Sequence, residues 1–312
     1  MFRIEESTYQ EICSQWPGVK AEELGFVKDW SKLISGLVYY SILNEKNASM
    51  QGAFCVCFSK RKGMEHVSNP PFFQNCGLVI KNPKANNYEK QSLTKRVLKS
   101  VSGFLNGFNW VNVSLPCKFT DVQPFIWDGF TVSPRYTYLL DISNEEAQLA
   151  KHFGKGLKND LSNSSKYEIV FSDQLSEVVL QFLAVTSAEH RAEVEQKIWK
   201  NIMGASASDS HTITTTAHYQ HYKGVVCVMQ AGETGIYLFG NSDKNSPLAL
   251  NSVALMKTIA ILKSRGVTTL DFEGSMIPGI ERYFRSFGGE LTPYFNILKE
   301  PKLIKTAKFL KG

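Results

Sequence analysis

Residues 268–298 read TTLDFEGSMIPGIERYFRSFGGELTPYFNIL, and their pattern decides the fold. Thr268 to Glu273 alternates in polarity and is rich in β-branched and aromatic side chains, which predicts a strand; Gly274-Ser275 stops it. Pro278 suits the first turn of a helix, where its missing N–H is not needed. Ile280, Tyr283, Phe284 and Phe287 follow at i, i+3, i+4 and i+7, one apolar face of a short helix. Gly288-Gly289 ends that helix, and Leu291 to Leu298 is the next strand. On an extended strand Asp271 and Glu273 share one face, and Leu270 and Phe272 the other. Two neighbouring carboxylates are costly unless cations or water compensate them, and Arg282 and Arg285 lie one short helix away. The group is either a structural ion cluster or a functional site, and both readings stay open.

Working outward, Leu248 to Lys263 is patterned as a helix closed by Gly266. Thr212 to His218, Val225 to Gln230 and Gly235 to Phe239 precede it as strands. Leu175 to Met203 reads as mostly helix, and Gly204 to Ser210 as a connection. Ser143 or Asn144 is placed to cap a helix that Gly154 and Gly156 interrupt, in a region carrying Lys151, Lys155, Lys158 and Lys166. The earlier chain holds a short helix near Tyr9 to Gln15. Strands follow at Leu37 to Leu43, Gly52 to Ser59 and Gly77 to Ile80, then a helix over Tyr88 to Phe108. Trp110 to Leu115 and Thr131 to Ile142 are strands flanking a short helix at Phe125 to Trp127.

The two halves carry one pattern twice. Gly129, Val132, Ser133, Pro134, Tyr136 and Leu139 match Gly288, Leu291, Thr292, Pro293, Phe295 and Leu298 at an offset of 159 residues. The same offset pairs Gly107 with Gly266, Val111 and Val113 with Leu270 and Phe272, and Phe125 with Phe284. This predicts two copies of one unit of order β-β-β-α-β-α-β, divided as residues 1–143 and 144–312. The carboxylates are confined to the second copy. Where it has Asp271 and Glu273, the first has Asn112 and Ser114.

Composition narrows the class. The 312 residues carry a net charge of +6 and are 43% hydrophobic and 21% charged, as in an ordinary folded protein of about two domains. The six cysteines form no CxxC pair, so a reduced cytoplasmic chain without a disulfide framework or zinc site is expected. The N-terminus lacks an apolar signal core, and the run Leu33 to Leu43 is too short to span a bilayer. His218 and His221 are a poor metal pair on a strand, and no metal is expected. No G-x-S-x-G elbow exists, which disfavours nucleophilic catalysis.

With these residues in view, the chain resembles the FemAB-like branch of the GNAT (acyl-CoA N-acyltransferase) superfamily. The resemblance rests on Tyr237-Leu-Phe-Gly240-Asn241-Ser242, Asp271-Phe272-Glu273-Gly274 and Gly279-Ile280 to Tyr283-Phe284-Arg285, Phe287 and Gly288. It implies an α/β protein of two tandem GNAT-like units with mixed sheets flanked by helices. Its best-known members transfer an amino acid from aminoacyl-tRNA to the stem peptide of a peptidoglycan precursor, a cell-wall reaction; others are N-acyltransferases. The donor co-substrate implied is acyl-CoA or aminoacyl-tRNA, with no tightly bound cofactor, and the acceptor is a small-molecule or peptide amine. The second unit would hold the active site, and the first would support it or hold the acceptor. Where typical members carry a lysine, Arg285 stands; it keeps the charge but cannot lose its proton. The usual CoA-binding loop before Leu250 is absent, as is a long helical arm.

Acyl transfer to an amine needs an oriented donor, a proton acceptor and donors to a developing oxyanion. Glu273 is the candidate proton acceptor, Arg285 the charge stabiliser and Tyr294 a candidate proton donor. Tyr237, Asn241 and Ser242 are the candidate donor-binding residues. Asp271, Ser275, Arg282 and Phe284 are the candidate acceptor-binding residues. The alternative is a catalytically inactive binding protein that holds a peptide, glycan or lipid precursor.

Overall fold

The computed structural model describes residues 2–16, 34–61, 63–70, 73–81, 86–172, 211–274 and 276–301. The expected helix at Leu175 to Met203, the Gly204 to Ser210 connection, Ser275 and the tail beyond residue 301 lie outside these. The chain is a mixed α/β protein that packs into two compact units. They do not follow a contiguous cut at residue 143. One unit gathers the chain up to Arg135 together with the stretch from Pro293, and the other is Tyr136–Thr292.

In the first unit, β1 (Phe2–Ser7), β2 (Leu37–Asn44), β3 (Met50–Arg61), β4 (Met64–Ser68) and β6 (Trp110–Ser114) lie side by side, with β5 (Val79–Ile80) on β3. The described helices are α1 (Tyr9–Gln15), α2 (Asn87–Leu105) and α3 (Gln123–Trp127). Thr8 and Glu11 form a capping box at α1, and Asn86 and Glu89 do so at α2, so local sequence sets both starts. Val97, Leu98, Val101 and Leu105 bury one face of α2 against Phe54, Val67, Val111 and Val113 of the sheet. The strand β4 carries no clear alternation and is not expected from the sequence.

The second unit runs β7 (Thr131–Asp141), α4 (Glu146–Lys151), α5 (Lys155–Ser164), β8 (Val170–Ser172), β9 (Thr212–Tyr219), β10 (Tyr222–Ala231) and β11 (Thr234–Ser242). It continues with α6 (Leu250–Ser264), β12 (Thr269–Asp271) and α7 (Pro278–Arg285). The strand order is β7-β12-β11-β10-β9-β8. Ser143 and Asn144 do not cap α4, as they were placed to do; Glu145 is its N-cap, and Ser143 bonds to Asp141 instead. Leu250, Ala254, Leu255, Ile259 and Leu262 of α6 bury against Val226, Val228 and Leu270. Below α7, Phe272 and Phe284 lie 4.8 Å apart and Tyr237 and Phe284 5.3 Å apart, ring to ring. Truncating one such aromatic to Ala costs about 3–5 kcal/mol.

The last strand of each half finishes the other unit. Residues Leu139–Asp141 of β7 pair antiparallel with β12 in the second unit. Asn296–Lys299 of the last strand, β13 (Glu290–Lys299), pair antiparallel with β6 in the first. The registers coincide: Asp271 lies opposite Leu139 as Asn112 lies opposite Leu298, both at the 159-residue offset. The repeat read from Pro134 and Pro293 is therefore a repeat in strand pairing. A contiguous division fails because the matched motif is itself the strand that crosses.

Gly224 of β10 sets how closely α6 approaches. A Cβ there would lie 2.3 Å from the Leu250 carbonyl carbon and 2.4 Å from the Asn251 nitrogen. Backbone cannot yield as a side-chain tip can. Gly224→Ala is expected to destabilise the protein by about 2–3 kcal/mol in urea unfolding; an unchanged midpoint would contradict this packing.

Candidate active site

The acidic turn after β12 lies in the second unit. The strand β12 is shorter than expected: it ends at Asp271, and Glu273 sits in the left-handed region at φ 55°. Asp271 and Glu273 therefore do not line one strand face. The cause is local. The Glu273 backbone N–H donates to Asp271 Oδ1 at 2.8 Å, and Gly274 follows at φ 64°. A Cβ on Gly274 would lie 1.9 Å from the Tyr136 carbonyl oxygen, so only glycine lets the turn seat there. A glutamate held at positive φ is strained by about 1–3 kcal/mol, a mark of functional sites.

Thr137 is fully buried, and its Oγ1 donates to Asp271 Oδ1 at 2.6 Å. Burial pushes the Asp271 carboxyl above its usual range, against the opposing effect of the bonds from Thr137 and the Glu273 amide. At the matched positions of the first unit, Asn296 Nδ2 donates to Asn112 Oδ1 at 2.9 Å. Thr137 and Asn296 are themselves 159 residues apart. One side-chain bond across one strand pair is built twice, with a neutral acceptor in one unit and a carboxylate in the other.

The sheet separates the two groups that the sequence placed together. Asp271, Leu139 and Thr137 share one face by the β7–β12 register. Tyr138 points to the other, and its hydroxyl donates to Glu281 Oε1 of α7 at 2.7 Å. Arg285 Nε donates to the same oxygen at 2.9 Å, from a side chain 62% exposed. The expected compensation of Asp271 by Arg285 does not form, because Glu281 is its partner. Tyr138, then Arg285, hold the Glu281 carboxyl below its usual range. Arg282 is exposed on the same helix.

The strand β11 opens beside this turn. It pairs parallel with β12 only at Thr234, Gly235 and Ile236, then runs on through Tyr237–Ser242. Among the described residues, its pairing with β12 stops at Ile236 and Asp271. A bulge between Tyr237 and Phe239 turns the parity, so Tyr237 and Gly240 share a face and the Tyr237 hydroxyl fills the space beside Gly240. Tyr237 and Phe284 are buried in the aromatic cluster and form the floor of this region. Asn241 lies on the face of Asp271, opposite Val225. Ser242 lies opposite Gly224, toward the start of α6. That helix begins at Ala249 with no side-chain cap and no acidic residue in its first turn, an end that suits a phosphate.

The first unit is closed at the matched place. Its β4 stops at Ser68, its last pairing with Asn112 of β6. Beyond that, Ser114 donates its N–H to Asn69 Oδ1 at 2.8 Å, and its carbonyl accepts from the Cys76 N–H at 2.9 Å. Asn69 and Cys76 thus continue the bonding along β6 past its last pair with β4. Tyr294 belongs to this first unit and is buried. Ser275 lies outside the described residues. Two residues of the site escape the sequence reading. Glu281 was signalled by its i, i+4 spacing to Arg285, and Thr137 only by the repeat register.

No family model matches the chain, and no curated protein does. Solved structures do. FemX has a TM-score of 0.64 and 14% identity over 94% of this chain and 96% of its own. A tandem GNAT protein from the clavulanic acid biosynthesis pathway, solved without AcCoA, has a TM-score of 0.55 and 11% identity, covering 96% of this chain and 98% of its own. L-PGS from Bacillus licheniformis has a TM-score of 0.52 and 9% identity, covering 98% and 96%. At these identities the likeness is one of fold, and it spans nearly the whole length of each protein. The chain has the tandem acyl-CoA N-acyltransferase fold, in the form that FemX shares.

Proposed function

We propose that the protein is an N-acyltransferase or aminoacyltransferase acting on an amine, with its reaction centre in the second unit. The observation that carries this reading is the difference between the units. Pairing of β11 with β12 stops at Ile236, beside Asp271 and Glu273, whereas in the first unit Asn69 and Cys76 bond to Ser114 past the last β4–β6 pair. An unpaired strand edge holds an extended, amide-bearing ligand by backbone hydrogen bonds. Acyl-CoA offers such a segment followed by phosphates, and the uncapped start of α6 is placed for the phosphates. Aminoacyl-tRNA is the other donor class in this reading. The likeness in fold to FemX, L-PGS and a tandem GNAT protein supports the transferase reading.

In the reaction, the acceptor nitrogen attacks the donor carbonyl. A C–N bond forms and the amine proton leaves to Glu273 directly or through one water; the donor's thioester or ester bond breaks, and its thiol or hydroxyl departs with the proton that Glu273 returns. Asp271 acts as a positioning residue, because its Oδ1 accepts the Glu273 amide and fixes the left-handed turn. Arg285, steered by Glu281, holds the anionic part of the donor. Replacing Glu273 by Gln is expected to lower kcat about 10²–10⁴-fold with little change in donor KM. The same change made at Asn112 or Ser114 of the first unit leaves kcat within a few-fold. Donor binding without turnover in the wild type would instead favour the binding-protein reading.

The carboxylate of Asp271 is kept against stability. The first unit makes the same bond with neutral Asn112, so the fold does not require the charge. The folded-state pKa of Asp271 is raised, so the folded protein binds its proton more tightly than the unfolded chain does. Its contribution to stability is present at acid pH and is lost as pH rises through the folded value. Asp271→Asn is expected to raise stability at neutral pH, to gain little near pH 4 and to lower activity. Urea unfolding of both proteins across that range checks this; an Asn variant less stable at pH 7 would contradict it.

A further inference from the structure

The turn after the proposed reaction centre carries an apolar tip that the core does not use. Residues 276–280, Met-Ile-Pro-Gly-Ile, are all exposed. Met276 and Ile277 are each 59% exposed and Ile280 41%, although buried Phe284 and Phe287 follow within two turns. The fold does not demand this. At the repeat offset the first unit has Cys117 and Lys118 in place of Met276 and Ile277, and Phe119, the next residue, is buried.

Cations follow the tip along α7. Arg282 is exposed one turn along α7, and Arg285 one turn further. The Gly154 N–H donates to the Ser286 carbonyl at 2.8 Å, which brings the start of α5 and exposed Lys155 beside the end of α7. The nearest acid on the helix, Glu281, is already engaged by Tyr138 and Arg285. An apolar tip with cations set back from it matches an anionic bilayer surface, where apolar side chains enter the headgroup boundary and basic ones meet the lipid charge.

We propose that Met276, Ile277 and Ile280, with Arg282 and Lys155, dock the protein reversibly on an anionic lipid surface. The docking does not rest on the transferase reading. If both hold, Glu273 lies close to the membrane interface.

The test is co-sedimentation of the full chain with phosphatidylglycerol-containing vesicles and with phosphatidylcholine vesicles, read without any activity assay. Binding to the anionic vesicles, weak binding to the neutral ones and weakening with salt are expected. Met276→Gln with Ile277→Asn leaves the charge unchanged, and Asn at the Ile277 N-cap position suits the start of α7. This variant should bind about tenfold more weakly or worse. Arg282→Gln with Lys155→Gln should lose about fivefold for each charge removed. Equal binding by the Met276/Ile277 variant, or no binding to anionic vesicles, would overturn the proposal. So would full competition by soluble glycerol phosphate, which would show a headgroup site in place of a surface. Circular dichroism of both variants confirms that they are folded.

Discussion

The structure depends on one strand pairing made twice. Asp271 opposite Leu139 and Asn112 opposite Leu298 set the register of the crossing strands in the two units. A slip of one residue would carry every side chain of β12 to the wrong face, taking Leu270 out of the core and Asp271 into it. The buried bonds from Thr137 and Asn296 hold that register, since a polar group enclosed without its partner costs about 1–3 kcal/mol. Every element of the site is positioned from these pairs. The left-handed turn starts from Asp271, the floor is Phe272, and β11 leaves β12 at the same level.

What distinguishes the units is small in sequence. Asn112 and Ser114 in one unit stand where Asp271 and Glu273 stand in the other. In the first, Ser114 continues an extended edge that Asn69 and Cys76 complete. In the second, the strand ends early, its next acidic residue is held at positive φ, and the neighbouring strand continues along β10 after its pairing with β12 has stopped. Neutral residues go with continued bonding along β6, and the two carboxylates with a left-handed turn where β12 stops. That correlation within one chain is a stronger argument for a site than either carboxylate alone.

Much of this was legible in the sequence. The apolar spacing of Ile280, Tyr283, Phe284 and Phe287 located α7, and the matched prolines located the repeat. Periodicity reports a face of an isolated element, which is why the strands and helices were readable. It does not report where a strand ends because a side chain caps the next amide, so Glu273 was placed on the face of Asp271. Nor does it choose between nearby partners: Arg285 stood within reach of several carboxylates, and the helical i, i+4 contact to Glu281 won. The crossing of β7 and β13 was hidden for another reason. A repeat states that two segments are alike but not which copy each one pairs with.

The most direct test of the account is amide hydrogen exchange with and without a donor, using an acyl-CoA and a non-hydrolysable aminoacyl-tRNA mimic. If β11 receives the donor, one of these ligands slows exchange at the amides of Tyr237–Ser242 and leaves the amides of Ser114 and its neighbours unchanged. A donor that binds with no protection along Tyr237–Ser242, or with protection centred on the first unit, would contradict the assignment of this stretch as the donor site.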